Sequence, residues 1–137
     1  MYNLYFANEI LNNFKLYAKE KKFPFKCGNR HKDNEEIDEI NNDNFIHAFM
    51  YMEVNKVTIG CNFDYVNSHC YFNTSYIISG EYQHGEHLTI DSNYKIISPD
   101  GRINSEIYNN LKTNNEKLCM ILDFFVEACR RRDQCHQ

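Results

Sequence analysis

The chain has 137 residues, which suits a single domain, and 42% of them are hydrophobic, including ten Phe and ten Tyr. This apolar content is enough for one packed core and excludes a wholly disordered chain. The formal net charge of −4 makes nucleic acid and anionic membranes disfavoured partners. We therefore expect one domain over residues 1–137.

The N-terminal third predicts a helix followed by an acidic loop. From Asn8 to Lys22 apolar residues recur at helical spacing, lysines lie near the C-terminal end, and Pro24 stops the helix. Residues 26–44 contain few aliphatic side chains, so they predict a mobile surface loop, with a helical turn near Ile37 as the only regular structure. The carboxylates of this loop belong to Asp33, Glu35, Glu36, Asp38, Glu39 and Asp43.

The central part predicts an antiparallel meander, because residues 45–54, 57–64, 71–78 and 88–97 have the alternation or β-branched content of strands. The first run also suits a helix, but only two residues separate it from the second, which favours a hairpin. We expect a hairpin turn at Gly85 and a bulge at residues 91–93. In the first strand, one face is predicted to consist of Ile46, Ala48, Met50, Met52 and Val54.

The C-terminal part predicts helices after a turn at residues 98–101, whose sequence is Ser-Pro-Asp-Gly. Asn104 can cap a short helix, and Thr113 with Glu116 forms a capping box for a longer one. The predicted fold is therefore α+β: an antiparallel three- or four-stranded meander flanked by an N-terminal helix and C-terminal helices. The apolar face of the long helix is predicted to consist of Leu118, Ile121, Leu122, Phe125, Ala128 and Cys129.

No phosphate-binding glycine loop, nucleophile elbow or helical His-Glu-x-x-His motif occurs in the chain. The best candidates for metal ligands are His84 and His87, which could share Zn²⁺ with Cys61, His69 or Cys70 if the sheet brought them together. Exposed turn histidines are the favoured interpretation of this pair. We therefore predict a protein that is not an enzyme and needs no cofactor, with a small zinc-binding enzyme or module as the alternative.

The sequence predicts a cytoplasmic protein with free thiols. Residues 1–14 lack a basic region followed by an unbroken apolar run, and no stretch of about 18 apolar residues occurs. The six cysteines therefore do not suggest the disulfide framework of a small secreted protein.

The acidic loop suits a basic protein partner, because clustered carboxylates steer association with a cationic surface. Anchors can come from tyrosines on or near the strands, namely Tyr65, Tyr71, Tyr76, Tyr82 and Tyr94. The small, acidic profile, rich in Asn and aromatic residues and without catalytic motifs, resembles that of bacterial immunity proteins that neutralise contact-dependent or polymorphic toxins. The resemblance implies an intracellular toxin partner, often a nuclease, bound without a cofactor. A phage-encoded inhibitor of bacterial defence and a homo-oligomeric structural module stay open.

Overall fold

The computed structural model describes residues 1–98 and 103–135, the last four of them as backbone only. Its strands form one antiparallel sheet in the order β2-β1-β3-β4-β5-β6-β7. The α+β prediction is confirmed, but within the described residues the sheet has seven strands and not three or four. The elements are α1 (Leu4–Lys21), β1 (Phe25–Asn29), β2 (Glu35–Glu36), β3 (Ala48–Val54), β4 (Val57–Phe63), β5 (Cys70–Ile78), β6 (Glu81–Ile90), β7 (Ile96–Ser98), α2 (Ser105–Asn110) and α3 (Asn114–Cys135).

Helices α1 and α3 pack against one face of the sheet and share a single apolar core with it. Phe6 of α1 meets Phe63 of β4 edge-on, and Phe125 of α3 stacks on Phe72 of β5. All six predicted core residues of α3 are buried. No helix in the described part of the chain is long and apolar enough to cross a bilayer.

The predicted shared face of β3 is confirmed for Ala48, Met50, Met52 and Val54, and this face is buried, each residue being at most 3% exposed. Ile46 precedes the strand and is 50% exposed, so its predicted place on this face is wrong. Residues 45–47 form a 3₁₀ turn before the strand, and this turn breaks the period-2 alternation that would have carried Ile46 inward.

Helix α1 begins four residues before the predicted start. The side chain of Asn3 accepts a hydrogen bond from the Phe6 amide at 3.0 Å and thereby caps the helix. At the other end Lys22 adopts a left-handed conformation with φ of 63°, and Pro24 follows as predicted. Both helix caps predicted for the C-terminal helices are confirmed, because Asn104 caps α2 and Thr113 caps α3.

Residues 26–44 are not one mobile loop. They contain most of β1 and all of β2, and β1 pairs with β3 so that Cys27 lies opposite Met50. The acidic stretch is anchored by Ile37 and Ile40, which are 7% and 1% exposed. The side chain of Asn8 in α1 both accepts from and donates to the backbone of Ile40, each at 2.8 Å. The carboxylates therefore extend from a fixed backbone.

The hairpins define the rest of the sheet. Asn55 and Lys56 both have positive φ, as in a two-residue type I′ turn, which confirms the predicted hairpin. The turn between β5 and β6 lies at Ser79 and Gly80, so the turn predicted at Gly85 is wrong. Residues 91–93 belong to a chain reversal between β6 and β7 and not to a bulge. Of the turn predicted at 98–101, residues 99–101 lie outside the described residues.

Hydrogen bonds join the helices to the chain reversal between β6 and β7. Tyr94 is fully buried, and its hydroxyl donates to the carboxylate of Glu9 in α1 at 2.7 Å. Asn114, at the start of α3, donates to the same carboxylate at 2.9 Å. The hydroxyl of Tyr108 in α2 donates to the backbone carbonyl of Tyr94. Four segments of the chain thus meet around two buried tyrosines.

Candidate functional site

The face of the sheet that points away from α1 and α3 is here called the open face. Because successive strand residues point to opposite sides, the open-face side chains alternate with the buried ones along each strand. They are half-buried or exposed and are mostly aromatic or polar. They include Lys26, Phe49, Tyr51, Glu53, Thr58, Asn62, Tyr71, Asn73, Ser75, Tyr82, His84 and His87.

Three planar groups, here called the aromatic ladder, lie in a row at the centre of the open face. The guanidinium carbon of Arg30 lies 4.3 Å from the ring centroid of Phe49. The ring centroids of Phe49 and Tyr51 are 5.4 Å apart, at an angle of 28°. Such cation–π and aromatic contacts each contribute on the order of 1 kcal/mol. The ladder is therefore a preorganised surface for a planar or apolar partner group.

Gly60 makes the ladder possible, because it leaves space for the ring of Phe49. Gly60 lies directly opposite Tyr51 in the sheet. A Cβ atom added at Gly60 would lie 2.9 Å from Cζ of Phe49 and 3.0 Å from the backbone oxygen of Met50. The absence of a side chain on β4 therefore fixes where the neighbouring aromatic ring on β3 can lie.

Replacing Gly60 by Ala is expected to lower the free energy of unfolding by about 1–3 kcal/mol, because the added methyl overpacks the contact with Phe49. Urea denaturation measures this cost. In a Phe49→Leu background the same Gly60→Ala change should cost clearly less, since the crowded ring is gone. Equal costs in the two backgrounds would show that the ring of Phe49 does not depend on Gly60.

A groove of about 760 Å³ runs across the open face beside the ladder. Its size falls within the range of about 300–1,000 Å³ that is typical of binding sites. Cations and carboxylates border it together with the hydroxyl groups of Thr58, Ser75 and Tyr82. The charged residues on the border are Lys26, Arg30, Glu36 and Glu53.

The six predicted acidic residues are all exposed, and five of them lie together. Glu35, Glu36, Asp38, Glu39 and Asp43 line a second depression of about 340 Å³ next to β2. Glu36 borders both this depression and the groove. These five residues, here called the acidic segment, therefore form one continuous surface with the groove. Asp33 lies in the preceding turn with a positive φ and does not line either depression.

The predicted zinc ligands do not come together. His84 and His87 are exposed on the open face, whereas Cys61 and Cys70 are fully buried on the side of the helices. His69 precedes β5 in a connecting segment. Across residues 1–98 and 103–131, no three His, Cys, Asp or Glu side chains form a cluster that could hold a metal ion.

The buried thiols are poorly suited to nucleophilic chemistry, which requires the thiolate form. Burial raises the pKa of the Cys27 thiol to about 12. Burial, and then the neighbouring Cys70 thiol, raise the pKa of Cys61 well above its ordinary value. These side chains act as small apolar groups in the core.

Of the residues that line the groove and the acidic depression, the sequence predicts Tyr82 and the acidic residues as candidates, but not the ladder or the cations on the border of the groove. A signal was available in β3, where Phe49 and Tyr51 alternate with the buried methionines and so place two large aromatics on the outward face. Lys26 and Arg30 are not predicted as groove residues, because the composition of residues 26–44 indicates a loop. Their position follows from the pairing of β1 with β3.

The fold is thus α+β, with helices on one sheet face and, on the other, an aromatic groove whose border carries both charges and adjoins the acidic segment. Comparison of the chain with protein-family models, with curated proteins and with solved structures found no match. Any function must therefore be inferred from the chemistry of the open face itself.

Proposed function

We propose that this protein binds another protein through the open face and the acidic segment, and that it inhibits this partner as an immunity protein neutralises a toxin. The supporting observation is that Glu36 and Tyr82 line the same groove although they lie on β2 and β6. Five interstrand spacings, about 24 Å, separate these strands along a flat sheet. The predicted acidic residues and the predicted tyrosine anchor can therefore contact one partner together.

The aromatic residues of the groove have the properties of interface anchors. Large side chains, above all Tyr, Trp and Arg, contribute most of the binding energy at protein interfaces, usually near the centre of the contact. Tyr82 is 68% exposed, and Phe49 and Tyr51 are half-buried. Covering these rings removes apolar surface from water, and the Arg30–Phe49 contact orders the surface before the partner arrives.

The acidic segment accounts for the charge that we assign to the partner. Glu35, Asp38, Glu39 and Asp43 lie with Glu36 around the depression next to the groove. Clustered carboxylates attract a basic surface and accelerate association with it. Because Ile37 and Ile40 fix the backbone of this segment, little conformational entropy is lost when the partner binds. A basic toxin domain, such as a nuclease, is a partner with the complementary charge.

Affinity capture from the native host tests the proposal, with the Phe49→Ala/Tyr82→Ala variant as the matched bait. We expect one basic protein to be recovered by the wild-type bait and lost with the variant. This protein should be toxic when expressed alone and tolerated when it is expressed with the wild-type chain. A captured partner whose activity is unchanged by the wild-type chain would reject inhibition.

With that partner in hand, charge reversal of the acidic segment is expected to reduce the association rate by a factor of 10 or more at low salt. The variant is Glu35→Lys/Glu36→Lys/Asp38→Lys/Glu39→Lys, and its association rate should no longer fall as ionic strength rises, because the attraction to a basic partner has become a repulsion. Tyr82→Ala should instead increase the dissociation rate, because the contacts of an anchor side chain form only once the complex has formed. Stopped-flow or surface-plasmon measurements separate the two rates. Unchanged association of the reversed variant would exclude the acidic segment from the interface.

A further inference from the structure

His84 and His87 lie on the same face of β6 because of a bulge. In a regular strand, residues three apart point to opposite faces. Here His84 pairs with Ser75 and His87 pairs with Asn73, so two residues of β6 lie opposite Thr74 alone. The extra residue shifts the alternation of side chains between the two faces by one position, so both imidazoles point to the open face.

The bulge is held in place by a contact on the opposite side of the sheet. Thr74 is fully buried, and its hydroxyl donates a hydrogen bond to the Glu86 carboxylate at 3.0 Å. Glu86 therefore points toward the helices while its neighbours His84 and His87 point away from them. The shared direction of the two histidines is thus fixed by a buried polar contact.

The two histidines occupy neighbouring positions on the open face. They lie opposite Ser75 and Asn73, and residues two apart on a strand such as β5 are about 6.7 Å apart. Their ring neighbours are tyrosines, at 6.3 Å from Tyr71 to His87 and 6.4 Å from Tyr82 to His84, measured between centroids. Both imidazoles are exposed, so an ion can reach them from solvent.

We propose that His84 and His87 form a two-imidazole site for a divalent transition-metal ion. Imidazole nitrogen suits Cu²⁺, Ni²⁺ and Zn²⁺, with the strongest binding for Cu²⁺, whereas Ca²⁺ and Mg²⁺ need several oxygen ligands. The remaining coordination positions face solvent on the open face. This site differs from the predicted zinc set, because it uses neither Cys61 nor Cys70.

Titration of the full chain with Ni²⁺ by calorimetry tests this site. We expect one Ni²⁺ per chain, together with quenching of tyrosine fluorescence, since the chain has no Trp. Replacing His84 or His87 by Asn should weaken binding at least tenfold. The matched control is His31→Asn/His47→Asn, which removes the other close pair, with ring centroids 4.7 Å apart. Unchanged binding by His84→Asn/His87→Asn, or loss of binding in the control, would overturn the proposal.

Moving one histidine tests whether the shared face is what matters. Thr89 lies opposite Tyr71 on the open face, two residues after His87, whereas Gln83 lies opposite Tyr76 on the other side. His84→Asn/Thr89→His should therefore recover Ni²⁺ affinity to within a few-fold of wild type. His84→Asn/Gln83→His contains the same number of histidines and should not recover it. Recovery in both variants would overturn the proposal, whatever the outcome of partner capture.

Discussion

Replacing Phe72 by Ala is expected to lower the free energy of unfolding by about 3–5 kcal/mol. Phe72 is fully buried on β5 in the middle of the sheet, and its ring centroid lies 6.3 Å from that of Phe125 in α3. The substitution leaves a cavity between the sheet and the helix. Small domains are stabilised by only about 5–15 kcal/mol, so the loss should be obvious in urea denaturation followed by circular dichroism.

Two further variants show whether this cost arises from the core. Phe72→Leu retains most of the apolar volume and should cost less than half as much as Phe72→Ala. Tyr71→Ala removes a similar ring from the adjacent open-face position, which is 38% exposed, and should cost about 1 kcal/mol or less. If Tyr71→Ala were as destabilising as Phe72→Ala, the assignment of inner and open faces would be wrong.

The stability of the protein is expected to fall steeply above pH 10. Burial, and then hydrogen bonds to Asp123 and Glu9, raise the pKa of Tyr17 and Tyr94 far above the ordinary value. Burial also raises the pKa of Tyr108 well above it. The unfolded chain releases these protons near pH 10 whereas the folded chain retains them. The contribution of these tyrosines to stability is therefore present below pH 10 and is lost above it, by up to about 1.4 kcal/mol per pH unit for each tyrosine.

Urea denaturation at pH 8, 10 and 11 measures this loss. Tyr94→Phe should be less stable at pH 8 because Glu9 loses a donor, but its stability should fall less with pH, since one retained proton is gone. Cys27, whose pKa is raised to about 12, adds a loss that begins earlier, near the ordinary thiol value of about 8.5, and by pH 11 exceeds the loss from any one tyrosine. Cys27→Ala removes this contribution. A stability that stayed constant from pH 8 to pH 11 would contradict the buried, protonated state of these tyrosines.

The elements that could be predicted from sequence are those whose signals are local. The alternation in β3 and β4 and the two residues between them predict a hairpin without reference to the rest of the chain. Asn104 and Thr113 cap their helices through contacts three residues away, so both helix starts were predictable. The hairpin and the two helix caps depend only on residues a few positions apart, so they can be predicted from the local sequence.

The missed elements depend on contacts between distant parts of the chain. Strand β1 has a glycine and a buried Asn29, and only its pairing with β3 makes it a strand. The first half of β6 has no buried residues because it carries the exposed outer part of a long hairpin, so no alternation marked it. Tertiary pairing overrides local preference in both strands.

The candidate site shows the same division. The exposure of the acidic residues follows from their charge, and the sequence predicted it. The groove depends on cross-strand geometry: Gly60 opposite Tyr51, and Arg30 over Phe49. The shared face of His84 and His87 depends on a bulge that no short motif predicts. Long-range register therefore decides which predicted residues can act together.

The two ends of the sheet affect how the protein behaves at high concentration. Strand β2 has two residues, both glutamates, and β7 has three, so each outer strand has few backbone groups with which another sheet could pair. Short and negatively charged borders are a common natural protection against sheet-to-sheet polymerisation. The same carboxylates that suit a basic partner thus also oppose the growth of fibrils from the β2 side of the sheet.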